Sequence, residues 1–290
     1  MEVLELNNKD TSIKCFNGYV CEFVYNGKHN LIHRGGLPKE LRSEDDNLRI
    51  KKGAPKYSNI TPFPYGGIPE QVFVGKEKII NRERHGLSRS LPWEILSKNS
   101  LENEIIFMQN HDGKTPIKNI KYDPSKKGYE YLDPMFPFEI YRSYELLDKG
   151  ILHSCIKVNN PGDESFKYSL WDHPIFISPN DLGKGNFYFK YKNKKDNFNL
   201  EEVSKLKGNV KLLNGIENIS FINSESGVGF YFDSKGFGNL MIWSPEGKGV
   251  FSIESKSHSD IEREFPSANS QSLNPNFSKR YFIDITPFLI

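Results

Sequence analysis

Apolar and polar positions alternate in short runs along most of the chain, and turn residues part the runs at regular intervals. Gly18 to Tyr25 (GYVCEFVY) alternates into a turn at Asn26-Gly27. Phe138 to Leu146 (FEIYRSYEL) alternates into Asp148-Lys149-Gly150, and Ile151 to Val158 runs from there to Asn160-Pro161-Gly162. These two runs predict a β-hairpin. Further turns are expected at Asp112-Gly113, Asn214-Gly215 and Glu246-Gly247, and further strands at Gly229 to Phe232, Leu240 to Trp243, Val250 to Glu254 and Arg280 to Ile285.

Helical signals are few. Leu200 to Leu206 (LEEVSKL) can form a short helix and Asp260 to Glu264 a single turn, but no segment sustains a 3.6-residue period. Arg42 to Lys56 and Ser255 to Asn276 read as polar loops, and the basic run Lys190 to Asp196 (KYKNKKD) as a solvated one. With strand-like sequence on both sides of each, neither long loop reads as a linker. The expectation is a single all-β domain over residues 1–290, a sandwich or barrel.

Composition agrees with strands. Aromatic residues make up 13% of the chain, chiefly Phe and Tyr, which suit half-buried pleated surfaces. The 39 basic and 37 acidic side chains nearly cancel, which gives no reason to expect a nucleic-acid partner. No run approaches the ~20 apolar residues that cross a bilayer, so no membrane partner is expected. The start, MEVLELNNKD, lacks the apolar stretch of a signal peptide. Cys15, Cys21 and Cys155 are an odd count without paired spacing, which argues against a disulfide framework or a zinc site. A reducing, cytoplasmic setting is expected.

Several motifs can be set aside. The glycines of Arg34-Gly35-Gly36 and Gly227-Val228-Gly229 do not lie between a strand and a helix with phosphate-loop spacing. There is no G-x-S-x-G elbow and no H-E-x-x-H pair, and the histidines are scattered, so no metal is expected.

Three stretches carry candidate chemistry. His85 follows a charged turn and precedes Gly86, which allows close approach of backbone or ligand. His173 stands between an apolar stretch and Pro174, at a strand end where sites form. Glu254 ends the strand Val250 to Ile253, on the face shared with Ser252 and opposite Phe251 and Ile253. Taken singly, each residue can equally be structural or solvent-facing.

Taken in order, H-G-x-x-R-x-x-x-W (His85 to Trp93), H-P-x-F (His173 to Phe176) and a W-S-P strand leading into I-E (Trp243 to Glu254) resemble the aldose 1-epimerase, or galactose mutarotase-like, family. The resemblance runs from about Pro62 to the C-terminus and is weakest between Ser178 and Ser226. It implies a β-supersandwich of large antiparallel sheets. It also implies an isomerase that interconverts the α and β anomers of a monosaccharide or sugar phosphate, without metal or organic cofactor. His173 is then the general acid at the ring oxygen, Glu254 the general base at the anomeric hydroxyl, and His85 a sugar contact.

Some positions depart from the family pattern, and they are what supports the other reading, a non-catalytic sugar-binding protein on the same fold. Pro62 to Ile68 (PFPYGGI) carries glycines where the family often has Asn-Arg, and Arg82, Arg84 or Arg89 can stand in. Glu254 is followed by Ser255-Lys256 rather than Pro-Trp, and Ile177 follows Phe176 where the family often has Asn. Asp233 is the candidate for the family's substrate-binding aspartate. Arg89 reads either as a phosphate contact, as in the hexose-6-phosphate branch, or as a partner of a neighbouring loop. Phe176 is the aromatic candidate for stacking on a sugar, with core packing as its other role. Trp93, Trp171 and Trp243 are expected in the core. Hydrolysis of a glycoside needs two carboxylates across the bond, and Asp172, the one near His173, should point away from it.

Overall fold

The alternation becomes three large antiparallel sheets, with three smaller ones of two or three strands among the described residues, in the computed structural model, which describes every residue except 1, 67–70, 75, 80–81, 100–102, 127, 192–193, 259–263 and 267–269. The largest has nine strands. In spatial order they are Lys194–Asn199, Gly185–Tyr191, Asn218–Asn223, Val228–Lys235, Ser278–Leu289, Leu152–Asn159, Pro137–Leu146, Glu104–Asp112 and Glu94–Asn99. The predicted hairpin lies beside its central strand, Ser278–Leu289: Pro137–Leu146 pairs with Leu152–Asn159 from Glu139↔Asn159 to Leu146↔Leu152. The turn between them places Lys149 and Gly150 at φ 62° and 73°, the left-handed region that glycine enters without steric cost.

A five-stranded sheet packs against it. Val250–Lys256 is at its centre, with Asn239–Trp243 and then Val210–Asn214 on one side. On the other side it pairs with both Trp171–Asp172 and Ile175–Ile177. Val250–Lys256 is buried along its whole length, unlike the half-buried strands of the nine-stranded sheet, because both its faces are covered. The sheets meet through aromatic rings. Phe176 stacks on Phe230 at 4.7 Å, and Phe251 lies 4.4 Å from Phe221. Such large rings dominate burial, and offset packing at these distances adds to it. A four-stranded meander, Leu4–Asn7, Thr11–Phe16, Tyr19–Tyr25 and His29–Asn30, adds Ile13, Val20 and Phe23 to the same core.

Three loop expectations are corrected. Glu44–Lys51, inside the expected loop Arg42 to Lys56, is an α-helix. Its two apolar residues, Leu48 and Ile50, stand two apart and so fall on different faces, and no apolar stripe betrays it; its signal is the cap. Ser43 Oγ accepts from the Asp46 amide, and the Asp46 carboxylate accepts from the Ser43 amide, each at 3.2 Å. The run Lys190 to Asp196 lies in the antiparallel pair Gly185–Tyr191 and Lys194–Asn199, apart from residues 192–193, which are outside the described ones. Ser255 to Asn276 contains the end of Val250–Lys256 and the short strands Glu264–Phe265 and Gln271–Leu273. The turn expected at Asp260 to Glu264 falls mainly outside the described residues. Leu200–Ser204 is helical as expected, capped by the Asn199 side chain, which accepts from the Glu202 amide at 2.8 Å. Among the described residues no helix is long and apolar enough to cross a membrane.

Candidate active site

The site begins with one strand face. Alternation along Val250–Lys256 sends Phe251 and Ile253 into the inter-sheet core and turns Ser252 and Glu254 to the opposite face. His173 meets that face. Its amide donates to the Ile60 carbonyl at 3.0 Å and to Asn59 Oδ1 at 3.2 Å, and Pro174 fixes the chain beyond it. Thus anchored, the imidazole presents Nε2 to Glu254 Oε1 at 3.0 Å and Nδ1 to Ser252 Oγ at 3.1 Å. His173 and Glu254 are only 6% and 2% exposed, so the pair meets in a poorly hydrated pocket.

His85 arrives on a loop held by backbone hydrogen bonds. The amides of Leu87 and Ser88 both donate to the Phe63 carbonyl, at 2.7 and 3.1 Å. His85 and Gly86 have φ of 69° and 74°, and a Cβ on Gly86 would lie 2.2 Å from that carbonyl oxygen. Only glycine fits so close to the backbone. The His85 ring stands edge-on to that of His173, with centroids 6.1 Å apart. Its buried Nδ1 has no hydrogen-bond partner among the described residues. Burial, then the neighbouring His173, Arg89 and Arg84, push its pKa down to about 2, so the ring is neutral near pH 7.

These side chains line one open cleft of about 400 Å³. Tyr57, Trp171 and Trp243 form its aromatic walls, Val210 and Met241 add apolar surface, and Arg84 stands at its exposed rim. The arrangement offers a base, an acid and a neutral hydrogen-bonding imidazole around a volume suited to a small polar ring. A larger hollow of about 690 Å³, lined in part by Phe136 and Phe166, lies elsewhere and has no histidine in its lining. Chemistry rather than size selects the smaller cleft. Among the described residues no group of three or more His, Cys, Asp or Glu side chains is placed to hold a metal.

The structure therefore brings His85, His173 and Glu254 together, and leaves the other candidates apart. Arg89 lies in a neighbouring cavity of about 260 Å³ that shares Tyr57 as a wall, its guanidinium 4.9 Å from the Tyr57 ring centre. Phe176 is wholly buried between the sheets, so stacking on a sugar is corrected to core packing. Asp233 lies on the far face of the nine-stranded sheet, in a hollow with Tyr188 and Tyr231, 3.6 Å from Lys235. It is no part of the cleft, which removes it from sugar binding there. Trp93 is in the core as expected, whereas Trp171 and Trp243 also wall the cleft. Asp172 turns away from His173, as alternation requires, and pairs with Arg142 at 2.8 Å.

Tyr57 and Met241 went unnoticed in the sequence, and Ser252 was placed on the face of Glu254 without a role. Trp243 faces Ser252 and Met241 faces Glu254 across the strand pair. That register, once known, identifies them; Tyr57 has no comparable signal.

No family model and no curated protein matches the sequence. Solved structures do match in shape. A galactose mutarotase-like protein from Lactobacillus casei superposes with a TM-score of 0.75 at 15% identity, covering 99% of this chain and 100% of that one. A galactose mutarotase related enzyme from Lactobacillus acidophilus gives 0.68 at 14%, covering 99% and 97%. An aldose epimerase homologue from C. elegans gives 0.66 at 12%, covering 100% and 99%. The chain thus has the galactose mutarotase-like fold, a β-supersandwich, and at these identities the likeness concerns the fold alone.

Proposed function

We propose that the cleft opens and recloses the ring of an aldose and so interconverts its α and β anomers. The observation that carries this reading is the 3.0 Å contact between His173 Nε2 and Glu254 Oε1 inside a cleft that also holds His85. The ring oxygen and the anomeric hydroxyl are both bonded to C1, so an acid and a base side by side can serve both. Glu254 takes the proton of the C1 hydroxyl. His173 delivers a proton to the ring oxygen as the C1–O bond of the ring breaks and C1 becomes a carbonyl. Rotation about C1–C2 presents the other face, and the same transfers in reverse close the ring. Each catalytic group ends in the protonation state in which it began. His85, neutral and in the lining of the cleft, is suited to hydrogen-bond the sugar without adding charge. The free cysteines fit action in a reducing cytosol.

The test is anomer relaxation, followed by polarimetry or NMR exchange over a panel of free sugars. Glu254→Gln keeps the shape and an acceptor for His173 but removes the base, and the rate should drop by roughly 10²–10⁴-fold. Equal rates for wild type and variant on every sugar would overturn the proposal.

One observation favours a phosphorylated sugar as substrate. Arg84 stands at the rim of the cleft and Arg89 in the cavity that shares its Tyr57 wall, which places two guanidinium groups on one side of it. A faster enzymatic relaxation of hexose 6-phosphates than of the free hexoses supports that version; the opposite order removes it.

A further inference from the structure

We propose that Ser252 is a positioning residue that fixes which nitrogen of His173 carries the proton facing the substrate. This rests on the reading of His173 as the acid at the ring oxygen, and it assigns a role to a side chain outside the acid–base pair itself. Ser252 and Glu254 stand two positions apart on one strand face and hold the two nitrogens of one imidazole, Oγ at 3.1 Å from Nδ1 and Oε1 at 3.0 Å from Nε2. Ser252 is wholly buried, so water does not compete for Nδ1.

The hydrogen positions follow from the network. A carboxylate is an acceptor only, so the nitrogen facing Glu254 must carry a proton. In a neutral imidazole the other nitrogen is then an acceptor, and the Ser252 hydroxyl donates to it. When the ring takes a second proton it sits on Nδ1, and the same hydroxyl rotates to accept. Arg and Lys are donors only, and a carboxylate accepts only. A hydroxyl both donates and accepts, so it matches the resting ring with Nδ1 bare and also the doubly protonated ring, which gives up Nε2–H and keeps the proton on Nδ1. With alanine there, Nδ1 would be buried without a partner in either state, and the ring would lose its orienting contact.

The test is a long-range ¹H–¹⁵N spectrum of His173, recorded without sugar, in wild type, Ser252→Ala and Ser252→Cys. The cysteine variant preserves much of the side-chain volume but offers only a weak donor. Wild type should show Nε2 protonated and Nδ1 as a hydrogen-bonded acceptor. Both variants should move the Nδ1 resonance toward that of a free acceptor and mix the two tautomers. In parallel, kcat for anomerisation should fall by about tenfold or more with KM nearly unchanged, since the hydroxyl acts on the acid and not on the sugar. Nitrogen shifts identical in wild type and both variants would overturn the assignment. An unchanged kcat beside shifted nitrogens would overturn its catalytic part. Absence of anomerisation in wild type itself would defeat the functional proposal, while the nitrogen spectrum would still decide the role of Ser252.

Discussion

Asp172 and His173 are consecutive residues, yet they belong to two buried ion-pair contacts of different kinds. Asp172 turns inward and meets Arg142 of the nine-stranded sheet at 2.8 Å; His173 turns to the cleft and meets Glu254 at 3.0 Å. All four side chains are nearly shielded from solvent. The difference is the proton. Burial acts to lower the pKa of Arg142, but Asp172 and Tyr144 outweigh it, and the net shift is upward, so the guanidinium never gives its proton up. An imidazole has two ring nitrogens, each able to hold or release a proton, and so can pass one on. Arg142 also reaches Thr61 Oγ1 at 2.5 Å and lies over the rings of Tyr19 and Tyr144, tying the sheets together behind the cleft. One contact fixes the strand end; the other, one residue further on, is free to do chemistry.

The largest effect should come from breaking the fixed pair. Arg142→Met leaves Asp172 buried and uncompensated, and loss of one partner from such a pair costs about 3–5 kcal/mol. Replacing both, as Arg142→Met with Asp172→Leu, should recover much of that loss, because an apolar pair of similar volume is often as stable as a buried ion pair. Urea unfolding of the three variants gives the cycle. Glu254→Gln is the control on the other contact: it should leave the urea midpoint almost unchanged while anomerisation is lost. If Arg142→Met unfolds at the wild-type midpoint, the division between a structural and a chemical pair fails.

Much of this division was legible in the chain. Alternation alone places Asp172 and His173 on opposite sides and puts Glu254 away from Phe251, and the structure agrees. The long hairpin and the strands beside it were readable for the same reason: a period of two leaves a strong trace where one face is core and the other is not. What stayed hidden depends on which strands become neighbours. Met241 and Trp243 are brought to the site by the pairing of Asn239–Trp243 with Val250–Lys256. No single-strand pattern contains that register. Phe176 was open to two readings because its strand, Ile175–Ile177, is too short to show which face is covered. The helix Glu44–Lys51 was missed because it has no apolar stripe, although the Ser43–Asp46 spacing announced it.

A smaller effect separates His85 from both pairs. It is an unpaired imidazole, and burial together with nearby positive charge holds its pKa at about 2 in the fold, against about 6.5 in an unfolded chain. Between those values the unfolded chain binds a proton that the native state refuses, so stability falls as pH drops from about 6.5 toward 2 and is fully present above that window. His85→Asn removes this term and suits the left-handed backbone at that position, which Asn tolerates. Urea midpoints at pH 7 and pH 4.5 should therefore lie closer together in the variant than in wild type. Parallel shifts in the two proteins would mean that His85 is protonated in the fold and would remove it from the neutral side of the cleft.

The smallest effect is expected at Asp233, which tests the comparison from outside. Its neighbours Phe232 and Ser234 are buried, so its own side chain lies on the opposite, outer face of the nine-stranded sheet. There it is 39% exposed and 3.6 Å from an exposed Lys235. An ion pair so open to water is screened and contributes little. Asp233→Asn should move the urea midpoint by the equivalent of less than about 0.5 kcal/mol and leave the anomerisation rate unchanged. It touches neither the fixed pair nor the transferable one. A drop in kcat/KM of tenfold or more in this variant would mean that sugar reaches the outer face of the sheet, and the cleft around His173 and Glu254 would lose its claim to be the place where the ring opens.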